Sequence, residues 1–246
     1  MPSPRLAVLP TLVALAPLSL ALPARAGVVI EGKDGGEMQR IVMEGTKLRM
    51  EGKDQAGKSV LIYDGDAKRS IQLHPEQKSY LEFTTDDLKK MAALAKEARE
   101  KSGAAAPKAK TATRYEKTDR TDQALGKSCN VYAVKDDGAS EEMCIVPFGT
   151  FGVQKQDFAA LRAFGDFAAD MAGGDVDRSW SDLPGVPVIT WRLEGGERHE
   201  TFRATRIEKA KVAASEFAVP PGWTKEPGFA EQMEALQKQG AEGGAK

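Results

Sequence analysis

The sequence predicts an α+β fold in which two amphipathic helices cover the concave face of a single curved antiparallel sheet. Three observations support this fold class. Strand-like runs alternate with glycine-containing turns over residues 27–83, at the spacing of about ten residues that is typical of an antiparallel meander. Residues 84–102 and 156–172 instead repeat apolar side chains at helical spacing. Each helical stripe must be buried, and only the apolar face of the sheet is large enough to receive it.

Six runs make up the first part of the predicted sheet. Within them the side chains alternate, so that Leu48 and Met50 point to one side and Arg49 and Glu51 to the other. This alternation predicts one apolar face and one solvated face. The predicted strands are 28–33, 38–44, 47–51, 59–64, 69–73 and 79–83.

The first helix is predicted to begin at Thr84, because Asp87 lies three residues later and can complete a capping box. Its apolar stripe is narrow, and Gly103 suits the C-terminal end of the helix. Residues 104–113 are rich in alanine and lysine and are predicted to form a flexible linker. The stripe consists of Leu88, Met91, Ala92, Ala95 and Ala98.

The second part of the chain is predicted to extend the sheet around one further helix. A hairpin with arms at 128–135 and 141–146 precedes the helix at 156–172, and a long hairpin across Gly195-Gly196 follows it. Residues 27–226 are therefore predicted to form one domain, and residues 227–246 a short helix and a tail. The apolar side of the second helix carries Phe158, Leu161, Phe164, Ala168 and Met171.

The first 26 residues have the pattern of an export signal. An arginine precedes a long apolar run, and Ala24-Arg25-Ala26 supplies the small-x-small pattern that a signal peptidase cuts. Cleavage after Ala26 would leave Gly27 as the mature N-terminus. No later segment is long and apolar enough to span a bilayer. The sequence therefore predicts a soluble protein of the periplasm.

Composition argues against several classes of function. Removal of the signal changes the formal net charge from −1 to −3, whereas a nucleic-acid partner normally requires a basic face. The chain has two cysteines and two histidines, but no close ligand pair of the kind that holds a metal. His74 and His199 are expected at the surface. We predict no metal site, no cofactor and no catalytic residues, and an enzyme is the least favoured class because no catalytic motif is present.

Residues 52–59 read Gly-Lys-Asp-Gln-Ala-Gly-Lys-Ser and match the phosphate-binding loop pattern. In a genuine phosphate-binding loop this segment opens a helix, whose N-terminal amides hold the phosphates. The residues that follow Ser59 are Val, Leu, Ile and Tyr, which favour a strand over a first helical turn. We therefore predict a polar hairpin loop and no nucleotide partner.

Cys129 and Cys144 lie on the two arms of one predicted hairpin. An exported chain with two cysteines most simply forms one disulfide. A register centred between Asp136 and Asp137 would place the two cysteines opposite each other, near enough to bridge. The alternative is a pair of buried free thiols.

Several segments resemble a family of exported bacterial proteins of unknown function. They include Leu48-Arg49-Met50-Glu51, the run from Ser59 to Asp64, Leu73-His74-Pro75, the Gly-Lys-x-Cys-x-Val-Tyr strand at 126–132, and Ser215-Glu216-Phe217-Ala218-Val219-Pro220-Pro221-Gly222-Trp223. The resemblance covers most of residues 27–226. That family is similar to LolA-like periplasmic carriers and receptors of lipoproteins, which implies a half-barrel sheet around an apolar concavity.

Two functions from different classes follow. The first is a binding protein that holds an acyl chain, a lipoprotein or another hydrophobic ligand. Its candidate pocket residues are Met43, Met50, Ile62 and Leu73, for which ordinary core packing is the alternative. The second is an envelope interaction or structural protein without a small-molecule ligand, in which the linker and the tail would contact a protein partner.

Overall fold

Twelve strands form one mixed sheet in the computed structural model, which describes residues 25–54, 57–103, 113–135, 140–171, 182–228 and 231–232. The spatial order is β12-β6-β5-β4-β3-β2-β1-β11-β10-β9-β8-β7, and β12 pairs with β6 in the parallel direction. The strands are β1 Arg25–Asp34, β2 Glu37–Glu44, β3 Lys47–Asp54, β4 Gly57–Asp64, β5 Arg69–His74, β6 Ser79–Thr84, β7 Arg114–Ala124, β8 Lys127–Lys135, β9 Ser140–Val146, β10 Val186–Glu194, β11 Glu197–Val212 and β12 Thr224–Lys225.

The first six strands form the predicted meander, and their register defines two faces. Met43 lies opposite Leu48, which lies opposite Tyr63, so these side chains share one face of the sheet. We call it the helix face, because helix α2 (Ala159–Met171) packs against β2, β3 and β4 there. Tyr63 contacts Phe164 and Phe167 of α2, with ring centroids 5.5 and 5.3 Å apart.

The opposite face of β1–β5 is also buried, contrary to the prediction of a solvated face. It carries six buried side chains, and the segment 213–226 crosses it. We call this segment the C-terminal strap and the face beneath it the strap face. Phe217 lies in the short 3₁₀ helix Ala214–Phe217 and packs into the same cluster, with Val219 and Trp223 against it. The six side chains are Val29, Val42, Val60, Ile62, Ile71 and Leu73.

Helix α1 (Thr85–Ser102) begins and ends as predicted but does not cover the sheet. The Asp87 carboxylate accepts hydrogen bonds from the Thr84 backbone N–H at 2.9 Å and the Thr84 hydroxyl at 2.7 Å. Gly103 follows the helix with φ +65°. The main contacts of α1 are with β6 and α2, and Ala92 in its stripe is exposed. A stripe composed mostly of alanine offers little apolar area to bury.

The predicted fold class is therefore wrong, because the layers that cover the sheet differ from those predicted. The sheet is a twelve-stranded mixed sheet with one parallel pair, not a curved antiparallel sheet with two helices over its concave face. Of the two predicted helices, α2 packs on the sheet, whereas α1 packs at its side. The second covering layer is the C-terminal strap. The strand assignments of the meander and of both long hairpins are confirmed.

The described residues of this segment, 52–54 and 57–59, lie in the paired strands β3 and β4, as predicted. Gly52 pairs with Ser59 and Asp54 pairs with Gly57 in the antiparallel ladder. Val60 continues as strand rather than helix, so no helix N-terminus is available to hold a phosphate at this segment.

The disulfide between Cys129 and Cys144 is confirmed, with a Cα–Cα distance of 5.4 Å. Its register differs from the prediction. Cys144 lies opposite Val131, and Lys135 pairs with Ser140, so the two cysteines are diagonal rather than directly opposite neighbours. The pairing of the two arms is therefore shifted by two residues relative to the predicted register.

Several predictions fall on residues outside the described ranges. They are the export signal up to residue 24, the linker over 104–112 and the tail beyond residue 232. Within the described ranges, Ala26 and Gly27 lie in β1, opposite Lys211 and Ala210. No helix of the described part has both the length and the apolarity that a bilayer crossing requires.

Candidate binding site

A cavity of about 300 Å³ lies on the helix face, between the start of α2 and the strands β1, β2, β3, β10 and β11. Its walls are mostly apolar, and α2 with the turn before it contributes Phe158 and Leu161. The sheet supplies aliphatic and methionine side chains opposite them, which suit an adaptable apolar surface. The cavity is lined by Ile30, Asp34, Gln39, Ile41, Met43, Met50, Phe158, Leu161, Pro187, Thr190, Thr201 and Phe202. We call it the deep cavity.

Local sequence features position two of these walls. Gly32 in β1 lies beneath the ring of Phe202, and a side chain at position 32 would collide with that ring. The approach to α2 is held by Asp157, whose carboxylate accepts a hydrogen bond of 2.7 Å from the Gln154 backbone N–H. Asp157 also pairs with Lys209 of β11 at 3.0 Å. These contacts fix Phe158 over the strands.

The structure separates the four candidate pocket residues into two pairs. Met43 and Met50 line the deep cavity. Ile62 and Leu73 lie on the strap face, where they are fully buried in the cluster around Phe217. The four residues therefore cannot line one pocket. For Ile62 and Leu73 the alternative reading, ordinary core packing, describes what the structure shows.

The remaining walls come from parts of the chain that are distant in sequence. The sequence predicts Phe158 and Leu161 as members of the apolar stripe of the second helix. No local sequence pattern indicates the other wall residues, such as Pro187, Thr190 and Phe202. They approach β2 only because β1 pairs with β11. That pairing joins the two ends of the domain, and no local pattern specifies it.

Four polar residues contribute to the lining of the deep cavity. The Gln39 side-chain amide donates a hydrogen bond of 2.9 Å to the Asp34 carboxylate. The Thr201 hydroxyl donates to the Thr190 backbone carbonyl at 3.3 Å. The described residues contain no cluster of three metal-ligating side chains. The geometry therefore suits the burial of an apolar group more than acid–base chemistry.

A second cavity of about 270 Å³ borders the first. Gly52 and Ser59, which face each other across the β3–β4 ladder, form its floor. Its other lining residues are Gln39, Ile41, Met50, Glu51, Lys53 and Leu61. We call it the shallow cavity. A third cavity of about 330 Å³ lies between α1 and α2 and includes the charged residues Lys68 and Asp166, so it is a poorer match to an apolar ligand.

His74 contacts a carboxylate rather than lying free at the surface. Its Nδ1 atom is 2.8 Å from the Glu226 Oε1 atom, and the Ser79 hydroxyl donates to the same oxygen. This trio is not a nucleophilic triad, because such a triad requires the imidazole between the hydroxyl and the carboxylate. The contacts instead attach the end of the strap to β5 and β6. His199 is exposed, as predicted.

Ion pairs hold the other end of the strap. Glu216 bonds Arg40 of β2 at 3.1 Å, and Arg49 of β3 donates to the Glu216 backbone carbonyl at 2.9 Å. The hydrogen bond from Arg40 holds the pKa of the Glu216 carboxyl below its usual value. The Ser79 hydroxyl and His74 likewise lower the pKa of Glu226. Both ends of the strap therefore depend on ionised carboxylates.

We expect strap attachment to weaken in acid. A carboxyl whose pKa is lower in the folded state stabilises the fold above its ordinary pKa, and that contribution is lost as the pH falls through the lowered value. Urea unfolding followed between pH 7 and pH 3 should show a falling midpoint, and Glu216→Gln should reduce the slope. Glu197→Gln, at the exposed tip of the β10–β11 hairpin, is the matched control. Equal slopes for wild type and Glu216→Gln would contradict the assignment.

A buried carboxylate in the second half of the sheet was not predicted. Glu142 of β9 is 5% exposed and pairs with Arg120 of β7 and Arg198 of β11. The Arg198 guanidinium lies 4.8 Å from the centre of the Trp191 ring. A buried charge that is paired on two sides ties three strands together, and removal of both arginines would leave it uncompensated.

Comparisons with known proteins give a family and distant likenesses in structure. An uncharacterized conserved protein from Thermus thermophilus is 9% identical, with a TM-score of 0.42 over 84% of this chain and 91% of that chain. Two crystal forms of PNGF-II are 12% and 10% identical, with TM-scores of 0.38 and 0.40 over 85% and 86% of this chain. The matches span 32% and 33% of the PNGF-II chain. No functional conclusion rests on these likenesses, and no curated protein matches the chain.

The match to a family model is more extensive. The model is described as a domain of unknown function (DUF4412), and it matches residues 28–223. That range runs from β1 to Trp223 of the strap. It includes α2, all three cavities and the whole sheet apart from the first three residues of β1 and the short edge strand β12. The resemblance to a family of unknown function, inferred from short segments, is thereby confirmed. This protein belongs to the DUF4412 family.

Proposed function

We propose that this protein is an exported, non-enzymatic binding protein of the periplasm that holds a hydrophobic ligand, such as an acyl chain, in the deep cavity. The main observation that supports this proposal is the deep cavity. Its volume of about 300 Å³ lies at the lower end of the range for small-molecule sites. Eight of its twelve lining residues are apolar, and the four polar ones form two hydrogen-bonded pairs, Gln39 with Asp34 and Thr201 with Thr190.

The energetics suit an acyl chain. Each methylene that leaves water contributes about 0.8 kcal/mol, so a chain of several methylenes binds without a strong polar anchor. Met43 and Met50 add flexible side chains that adapt to chains of different length. A site of this kind needs no catalytic group and no metal.

Export is supported by two independent features. The first 26 residues have the pattern of a cleaved signal. The Cys129–Cys144 disulfide is a bond that persists in oxidising compartments and is rare in the cytosol.

The alternative is an envelope protein whose working surface contacts another protein. The linker and tail that would make this contact lie outside the described residues. No observation in the described part favours this alternative over a ligand-binding function. The alternative is therefore one of the possible outcomes of the test below.

The test is a polar substitution in the wall of the deep cavity. Met50 lines both cavities and is partly exposed, so Met50→Asp should place a charge beside the ligand and largely abolish binding of a small fluorescent apolar probe. Met38, on the adjacent strand, is 55% exposed and lines neither cavity. Met38→Asp is therefore the matched control and should bind the probe as the wild type does.

Thermal unfolding of both variants shows whether each still folds. Loss of binding in a folded Met50→Asp variant, with binding retained in Met38→Asp, supports the proposal. If the wild type binds no apolar probe, the proposal fails and the envelope interaction protein takes its place.

A further inference from the structure

The deep and shallow cavities share a wall. Gln39, Ile41 and Met50 line both of them. The deep cavity extends from these residues across β1 and β11 to β10, and the shallow cavity extends from them to Ser59 and Leu61 on β4. Five strand spacings separate β4 from β10 in the sheet order, a path of roughly 24 Å along the sheet. The two cavities therefore lie next to each other across the strands, and we call the space that they form together the groove.

Burial and polarity change along this groove. At the α2 end the walls include the buried side chains of Phe158 and Leu161. At the β3–β4 end Gly52, Ser59 and Leu61 are only partly buried, and Ser59 supplies a hydroxyl. An occupant that fits both ends must itself be apolar at the buried end and polar at the end that faces solvent.

Gly52 creates the space of the shallow cavity, and the backbone does not require a glycine there. Four glycines lie in the described strands. Gly27 and Gly32 are required because a Cβ would collide with neighbouring atoms, and Gly57 has φ +113°. Neither a steric collision nor a positive φ explains Gly52, since a Cβ there would meet no heavy atom within 4 Å. A strand glycine costs stability, and it often marks a bulge, a tight bend, or a site that a ligand or another backbone approaches closely. Gly52 pairs in regular register with Ser59 and has no other backbone against it, which leaves the approach of a ligand.

We infer that the groove holds a single-chain amphiphile, with its alkyl chain in the deep cavity and its polar head over Gly52 and Ser59. This inference rests on the proposed function and adds the class and the direction of the ligand. The head lies at the shallow end because that end is partly exposed to solvent and carries the Ser59 hydroxyl.

Gly52→Val tests the inference, because the valine side chain should fill the shallow cavity without disturbing the backbone. Strand propensity favours valine over glycine, so the melting temperature should be equal or higher. Displacement of the small apolar probe should be measured with palmitate, hexadecanol and palmitoyl lysophosphatidylcholine, which share a chain and differ in the head. We expect all three to bind about tenfold or more weakly than to the wild type, while the probe itself binds as before.

Lys58→Val is the matched control, because Lys58 is exposed in the same hairpin and lines neither cavity. It should leave the affinity for all three amphiphiles unchanged, and the tightest of the three identifies the head group. If Gly52→Val binds the amphiphiles as tightly as the wild type while the probe still binds, this inference is wrong and the proposed function stands. If the wild type does not bind the probe at all, the proposed function itself fails.

Discussion

Replacement of Cys129 and Cys144 by alanine together is expected to lower the free energy of unfolding by about 2–5 kcal/mol. The bond joins residues 15 positions apart, and a closed loop of about this length reduces the entropy of the unfolded chain by an amount equivalent to about 3 kcal/mol. Both side chains are fully buried between neighbouring strands. Alanine avoids the additional cost of placing an unbonded hydroxyl in this position.

Chemical reduction provides the matched control. Urea unfolding of the wild-type protein should be compared with and without a thiol reductant, and the reduced protein should unfold at a lower urea concentration. The alanine variant should then show no dependence on the reductant. Identical unfolding of the oxidised and reduced wild type would contradict a stabilising bond, as would full thiol labelling of the denatured, unreduced protein.

Local patterns predicted the elements of this fold well. The capping box at Thr84, the end of α1 before Gly103 and the hairpin at 52–59 each depend on a few neighbouring residues, and each is confirmed. The covering layers were predicted less well. The strap is a short segment with little secondary structure, so no periodic pattern showed that Phe217 covers the sheet.

The candidate site was predicted in part for a related reason. Alternation within one strand shows which side chains share a face, but it does not show which face of the next strand is continuous with it. That relation depends on the register between strands. Met50 pairs with Leu61, so Ile62 lies on the opposite face although it is the next residue in an equally apolar run.

Phe217→Ala is expected to lower the free energy of unfolding by about 3–5 kcal/mol, the usual cost of removing a buried phenylalanine. Phe217 is only 8% exposed and belongs to the cluster on the strap face that includes Val42 and Ile62. Its ring is the largest apolar group that the short 3₁₀ helix contributes to the sheet. Without this ring, the helix is attached to the sheet mainly by the ion pairs of the neighbouring Glu216. Urea unfolding measures the change.

Ser215→Ala, at an exposed position of the same 3₁₀ helix, is the matched control and should leave the unfolding midpoint near that of the wild type. A loss below about 1 kcal/mol for Phe217→Ala would place this variant among ordinary surface substitutions and would contradict a buried strap.

The Phe217→Ala variant also distinguishes the roles of the two faces of the sheet. Phe217 and the deep cavity lie on opposite faces of β2 and β3. If the cavity binds apolar molecules as proposed, the fraction that remains folded should bind an apolar probe with wild-type affinity, because the strap forms no wall of the deep cavity.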